Sequence, residues 1–136
     1  SASIVRPTAK RALSVTVDYK VSGVNHYRIA SKGGFLVQVT NLEDLKEFSA
    51  SDFIKKELAV AEHFKLLLIT FEPGQEVQPC VMERSTAFYI VEGQGKVLAS
   101  EQEHDITKGS MVQIEPDLTR QIIANSRLVV LAMQYE

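Results

Sequence analysis

Few residues of this 136-residue chain could do chemistry, and they are widely spaced. The chain has one cysteine, Cys80, and three histidines, His26, His63 and His104, without metal-ligand spacing among them. A lone cysteine forms no internal disulfide or multi-cysteine zinc site, and is more often a small core residue than a nucleophile. No G-x-S-x-G turn is present to position a catalytic serine, and Gly93-Gln94-Gly95 lacks the third glycine of a dinucleotide-binding loop. The residue types alone therefore predict no reaction.

The composition predicts a single soluble globular domain. Hydrophobic residues make up 45% and charged residues 24% of the chain, which excludes disordered and fibrous classes. The formal net charge is -2, without a long block of one sign, so we expect no nucleic-acid partner. No apolar run approaches the length that spans a bilayer, and the first residues lack the apolar stretch of a signal peptide. With the single cysteine, this predicts a cytoplasmic protein without a membrane partner.

Short alternating or β-branched runs along the chain predict a mainly β fold. Residues 13–21 alternate apolar with polar side chains, as in a half-buried strand. Similar runs bounded by Gly, Ser, Asn or Pro predict further strands at residues 27–29, 35–39, 65–71, 88–91, 96–99, 111–114, 121–123 and 128–133. Many short strands separated by turns are typical of a sandwich or a closed barrel.

One segment has helical rather than strand spacing. Asn41 is a good helix cap, and Leu42, Leu45 and Phe48 follow it at helical intervals with acidic residues in the first turn. This predicts one short helix. Residues 53–58 fit either a strand or a continuation of the helix, and we favour the strand.

Residues 74–93 resemble the first sequence motif of the cupin superfamily, G-x5-H-x-H-x3-E-x6-G. Gly74 and Gly93 match the two glycines without a gap. Cys80 and Met82 stand at the two histidine positions, and Thr86 stands at the glutamate position. The spacing is retained, and all three ligand residues are replaced.

The second cupin motif, G-x5-P-x-G-x2-H-x3-N, begins at Gly109. It places Asp117 at the second glycine position and Arg120 at the third histidine position. Pro116 and Asn125 each lie one residue beyond the motif's proline and asparagine positions, and a hairpin predicted at residues 101–104 connects the two motifs.

This resemblance implies an all-β fold, the RmlC-like jelly-roll barrel, with one short helix. The length of the chain predicts a single domain over residues 1–136, in which 1–57 form N-terminal strands and the helix, and the resemblance places the barrel core at 58–136. Such proteins are commonly homodimers. The outward-facing residues Val81, Ala87, Tyr89 and Val91 form an apolar stripe that also favours a dimer.

The residues at the motif positions predict a cupin without a metal or other cofactor. Metal-binding cupins use imidazole and carboxylate ligands, whereas this chain offers a thiol, a thioether, a hydroxyl and a guanidinium. The guanidinium of Arg120 stays protonated and repels divalent cations. A Cu(I) site on Cys80 and Met82 is less favoured, because no third sulfur ligand accompanies them.

Period-two alternation predicts which side chains line the barrel interior. The predicted ligand-binding residues are Cys80, Met82, Thr86, Phe88, Ile90, Arg120 and Ile122. The buried guanidinium needs partners. These are either an internal carboxylate, from Glu76 or Glu115, or an anionic ligand.

Two functional hypotheses remain open. The first is a metal-free cupin that binds a small organic ligand in the barrel, with an anion as one option, or has a structural role without catalysis. The alternative is a metal-independent isomerase or epimerase with Tyr89, Arg120 and Cys80 as candidate catalytic residues. The alternative lacks an interior His or carboxylate to act as the base.

Overall fold

This computed structural model describes residues 13–21, 24–31 and 38–136, and nearly all regular structure in them is strand. The strands are β1 (Leu13–Val21), β2 (Val24–Ser31), β3 (Ile54–Ala61), β4 (Phe64–Phe71), β5 (Glu76–Val81), β6 (Ser85–Glu92), β7 (Gln94–Ala99), β8 (Gln102–Thr107), β9 (Met111–Ile114), β10 (Thr119–Ala124) and β11 (Leu128–Tyr135). A short 3₁₀ helix covers Leu42–Leu45. No helix in this described part is long and apolar enough to cross a membrane.

The strands form two sheets that face each other. One sheet has the order β1-β2-β3-β4-β11-β6-β9, and the other has the order β5-β10-β7-β8. All neighbours pair antiparallel except β2 and β3, which are parallel. The chain crosses between the sheets several times, so sequence neighbours such as β5 and β6 lie on opposite walls. This confirms the predicted all-β jelly-roll fold.

The larger of two apolar clusters in the described residues fills the space between the sheets. Phe71, Ile90, Val97, Leu128 and Val130 are fully buried in it. They come from four strands whose alternating residues face inward, as the period-two pattern predicts. Burying one such side chain stabilises the fold by about 1.5–3 kcal/mol, so this core provides the framework on which polar residues can be held in place.

The ambiguous segment at residues 53–58 is a strand, as favoured. β3 pairs with β4 so that Lys55 lies opposite Ile69 and Lys56 lies opposite Leu68. The β3–β4 register then shifts between Glu57 and Ala59. Because Ile69 belongs to the core between the sheets, this register fixes Lys55 on the inner face of the barrel wall.

The predicted helix is present but shorter than its apolar spacing suggested. Asn41 caps it, accepting a hydrogen bond from the backbone N–H of Glu43 at 2.9 Å. The helical conformation ends before Lys46, which is extended. Barrel side chains bind the carbonyls that follow: Lys56 donates to Leu45 at 2.8 Å, and Thr70 donates to Glu47. These bonds hold the segment along the barrel surface instead of continuing the helix.

The glycines of the two motifs occupy backbone conformations that other residues rarely adopt. Gly74, Gly93 and Gly109 have φ angles of 88°, 91° and 90°. At Gly93 a side chain would also collide with the carbonyl oxygen of Arg127. Asp117, at the position of the motif's missing glycine, keeps a positive φ of 68°. Aspartate tolerates this conformation better than most residues, so the motif frame persists in the backbone although its sequence has changed.

Two sequence expectations need correction. The hairpin turn lies at Ser100 and Glu101, where φ is 50° and 69°, and residues 102–107 continue as β8 instead of remaining in the turn. The sequence pattern did not predict this strand because five of its six residues are exposed. The strand predicted at residues 35–39 lies mostly outside the described residues, and its end, residues 38–39, is not in a strand.

Candidate functional site

A cavity of about 90 Å³ lies inside the barrel between the two sheets. Its apolar walls come from both sheets and consist of Leu67, Ile69, Val77, Phe88, Ile122 and Ala132. Cys80 lines the cavity while remaining exposed to solvent, so the cavity opens beside this thiol. A small ligand can therefore reach a mostly apolar interior.

The structure brings six of the seven predicted ligand-binding residues to this cavity. They are Cys80, Met82, Thr86, Phe88, Arg120 and Ile122. The seventh, Ile90, faces the interior as predicted but is fully buried in the core, away from the cavity walls. It lies one inward position beyond Phe88 on β6, where packed side chains fill the barrel.

Arg120 is buried, with 3% of its surface exposed, and neutral oxygens hold its guanidinium. Nη1 donates to the hydroxyl of Thr86. Nη2 donates to the carbonyls of Glu115 at 3.0 Å and Leu118 at 3.1 Å, and Nε donates to Leu118 at 3.2 Å. Burial lowers the pKa of Arg120, while the charges of Cys80 and Asp117 act in the opposite direction. Among the acceptors of the described residues, none takes the second N–H group of Nη1, which is therefore left for a further acceptor.

The prediction that the carboxylate of Glu76 or Glu115 pairs with Arg120 was wrong. Glu115 offers its backbone carbonyl, and its side chain is exposed. Glu76 accepts a hydrogen bond from Nε2 of Gln121 at 3.1 Å instead. The turn between β9 and β10 brings carbonyls closer to the guanidinium than either carboxylate, so these carbonyls accept most of its hydrogen bonds, and no carboxylate of the described residues forms an ion pair with it.

Lys55 also lines the cavity, and the sequence interpretation missed it. Burial lowers the pKa of its amine, Cys80 and Glu57 counteract that shift, and Lys65 adds to it. Alternation along 53–58 could have revealed this lysine, because Phe53 also packs against the core. A strand over residues 53–58 places Lys55 on the same face as Phe53.

The cavity therefore combines two cationic side chains with apolar walls. Lys55 lies on β3 and Arg120 on β10, so they come from opposite sheets. Among the described residues, its remaining polar lining consists of uncharged groups and the thiol of Cys80, with no aspartate or glutamate. Such a surface favours a small anion with an apolar part.

The donor set at the four motif positions does not fit a first-row divalent metal. The hydroxyl of Thr86 already accepts from Arg120, and the guanidinium supplies only donors and a positive charge. Cys80 and Met82 remain as two sulfur ligands. Within residues 13–21, 24–31 and 38–136, no group of three or more His, Cys, Asp or Glu side chains could hold a metal ion.

The other residues considered from the sequence lie elsewhere. Tyr89 is on the outer surface of β6, 41% exposed, so it cannot act together with Arg120 and Cys80 in one site. His26 lies on β2. His63 is exposed and lies beside Glu136, and His104 lies on β8 rather than in a turn.

A second, wider hollow of about 630 Å³ lies beside β8 and β9. His104, Asp105 and Glu115 line it, and all three are exposed. Among the described residues that line it, none is a lysine or an arginine. The barrel cavity with its two cations is therefore the stronger candidate site.

Solved structures show the same fold. A conserved protein of unknown function from Streptococcus pyogenes has a TM-score of 0.67 at 10% identity, covering 77% of this chain and 92% of its own. An RmlC-like cupin protein from Desulfovibrio desulfuricans has 0.68 at 20% identity, covering 73% and 96%. A cupin superfamily protein from Desulfitobacterium hafniense has 0.67 at 17% identity, covering 72% and 90%. No protein-family model and no curated protein matches the sequence. The likeness shows the cupin fold and leaves the chemistry to the site itself.

Proposed function

We propose that this cupin-fold protein binds a small organic anion, a short carboxylate, in the barrel cavity. One observation carries the proposal: Lys55 and Arg120 face the same apolar cavity, and the described residues that line it include no acid. The fold similarity supports a cupin barrel around this cavity.

Electrostatics favour an anionic occupant. Two positive charges that share a space of low dielectric repel each other, and water in so small a cavity stabilises them weakly. A carboxylate between them replaces that repulsion with two attractions. Arg120 contributes its remaining Nη1 N–H group, and Lys55 contributes an ammonium with up to three donors. Ligand binding should therefore require both residues.

The cavity volume limits the ligand. About 90 Å³ is smaller than the roughly 150 Å³ apolar cavity that accommodates benzene. Carboxylates of two to four carbons match this size, with the carboxylate at the cations and the alkyl group against Ile69, Phe88 and Ile122. Larger acids would have to extend through the open side at Cys80.

The test is thermal unfolding of the purified protein with acetate, propionate or isobutyrate at constant ionic strength, with propionamide as the uncharged control. A ligand at one hundred times its Kd stabilises the folded state by about 2.7 kcal/mol. The melting temperature should rise with propionate and not with propionamide. Lys55→Met should abolish the rise, and Lys108→Met, at an exposed lysine, should preserve it. An equal response to acid and amide, or none to any acid, would overturn the proposal.

We further infer a cytoplasmic homodimer. Cytoplasmic location is supported by the single, exposed thiol of Cys80, which a reducing environment keeps free. The four-residue stripe expected from the sequence is not continuous, because Val81 lies on β5 in the other sheet and Val91 packs against the cluster of Leu45, Leu68 and Val129. Support for the dimer comes instead from exposed apolar side chains on the outer face of the large sheet. There Tyr89 on β6 lies opposite Met111 on β9, which is 63% exposed, and Met133 on β11 lies beside Ala87.

A further inference from the structure

The amine of Lys55 has surroundings unlike those of the other lysines with described side chains. Lys46 and Lys96 form ion pairs with glutamates, and Lys56 donates to the carbonyl of Leu45. Lys55 instead lines the apolar cavity with its side chain largely withdrawn from water. A lysine in an apolar pocket beside a second cation is a recognised arrangement for a nucleophilic amine.

Burial has the largest influence on the pKa of Lys55, and the surrounding charges shift that pKa in both directions. Burial lowers the pKa of its amine, and the neighbouring cation Lys65 lowers it further. Cys80 and Glu57 act to raise it. Arg120 is a further cation on the same cavity, and β2 places His26 in register beside Lys55. Each unit by which the pKa falls increases the neutral, nucleophilic fraction at neutral pH about tenfold.

We propose that Lys55 forms a reversible imine with the carbonyl group of a short 2-oxo acid, whose carboxylate is bound by Arg120. The inference rests on the proposed binding of short carboxylates and adds a carbonyl next to the carboxylate. Lys55 and Arg120 reach the cavity from opposite walls, so a ligand held by its carboxylate at Arg120 presents its neighbouring carbon toward Lys55.

The reaction balances without an oxidant or a reductant. The lone pair of the neutral Lys55 amine forms a bond to the carbonyl carbon, and the amine proton moves to the carbonyl oxygen to give a carbinolamine. The C–O bond of the carbinolamine then breaks, and the hydroxyl leaves with the second amine proton as water, so each imine formed releases one water molecule. Thr86 and Cys80 line the same cavity and can relay the proton. Hydrolysis regenerates the free amine and the 2-oxo acid.

The experiment treats the full chain with glyoxylate or pyruvate and sodium cyanoborohydride, which reduces an imine to a stable secondary amine. Peptide mass mapping then measures labelling at each lysine. We expect Lys55 to be labelled several-fold faster than the exposed Lys108, because burial lowers the pKa of the Lys55 amine and so raises its neutral, nucleophilic fraction. Excess propionate should suppress the Lys55 label, because it occupies the carboxylate site without offering a carbonyl.

Two variants isolate the amine. Lys55→Arg keeps the positive charge and should lose the label, and its melting curve shows whether it is folded. Arg120→Lys keeps a cation at the cavity but loses the guanidinium, and it should slow labelling at Lys55. Labelling at Lys55 of the wild-type protein should also rise with pH, because only the neutral amine is nucleophilic.

The outcomes separate the two proposals. Propionate that raises the melting temperature without preferential labelling of Lys55 overturns the imine and leaves carboxylate binding intact. No melting shift and no preferential label overturns both. A fast Lys55 label that propionate does not suppress overturns the assignment of Arg120 as the carboxylate site.

Discussion

Replacing Arg120 with methionine tests how this buried cation is accommodated. The substitution retains much of the side-chain volume but removes donors to Thr86, Glu115 and Leu118. Thr86 is 2% exposed, so its hydroxyl would lose a charged partner without gaining water. A hydrogen bond to a charged group contributes about 1.5–3 kcal/mol, and an unsatisfied buried group costs about 1–3 kcal/mol. The recovered desolvation energy of the guanidinium offsets part of this loss.

We therefore expect Arg120→Met to lower the free energy of unfolding by about 2 kcal/mol, with the lost hydrogen bonds outweighing relief of desolvation. For a domain of this size, that corresponds to a melting-temperature decrease of roughly 6–10 °C. Urea denaturation of the ligand-free protein measures the free energy directly, and the slope of the transition shows whether the unfolding remains two-state.

A double-mutant cycle with Thr86→Val identifies the source of the loss. Each single substitution leaves a buried partner unsatisfied, whereas the double substitution removes both partners of the hydrogen bond. The double variant should be destabilised by less than the sum of the single variants, with a coupling of about 1 kcal/mol or more. If the losses in unfolding free energy of the two single variants were additive, Arg120 and Thr86 would not stabilise each other. A gain in stability for Arg120→Met alone would refute our reasoning that neutral oxygens accommodate the cation.

The purified protein should contain no stoichiometric Fe, Mn, Ni or Zn by elemental analysis, and restoring the motif ligands should create metal affinity that a chelator can compete for. The restored variant carries Cys80→His, Met82→His, Thr86→Glu and Arg120→His. Retention of about one metal per wild-type chain after chelation would contradict the first expectation. Tyr89→Glu should convert the dimer to a folded monomer in light scattering, because it places a charge opposite the exposed Met111; a wild-type monomer at micromolar concentration would contradict it. Hydrogen bonding from Arg127 lowers the pKa of Glu72, so this pair stabilises the fold above the unfolded pKa and ceases to do so as pH falls through the folded one. The stability difference between wild type and Glu72→Gln should therefore shrink in acid. A difference that is unchanged at pH well below about 4 would contradict this explanation.

The strands were predictable because their packing repeats a simple pattern. β4 and β11 carry runs of apolar residues, and both lie in the middle of the large sheet, where each face is covered. β6 alternates buried and more exposed residues, as its one-sided burial requires. β8 was missed because Ile106 is its only buried residue, so no apolar alternation marks it. Sequence patterns report burial, and a strand with little burial leaves little signal.

The site was predictable in part. The motif spacing placed Cys80, Met82, Thr86 and Arg120 around one cavity because their strands have fixed alternation and the frame turns keep their backbone conformation. The partners of Arg120 were not predictable, since they are backbone carbonyls whose direction depends on the turn before β10. Lys55 was missed because it lies on β3, outside both motifs, and reaches the cavity only through the pairing of β3 with β4.

The residues that maintain the turns of this barrel are different from the residues that line its cavity. Positive φ angles at Gly74, Gly93, Gly109 and Asp117 maintain the turns between strands, and none of these residues lines the cavity. The lining can therefore change without disturbing the turns. Placing Arg120 where the motif has a metal-binding histidine changes what the cavity accepts, because a guanidinium repels cations and attracts anions. Lys55 on the opposite wall adds a second positive charge to the cavity. The chain itself therefore supplies the positive charge that a bound metal would supply, and this charge favours an anionic ligand over a metal ion.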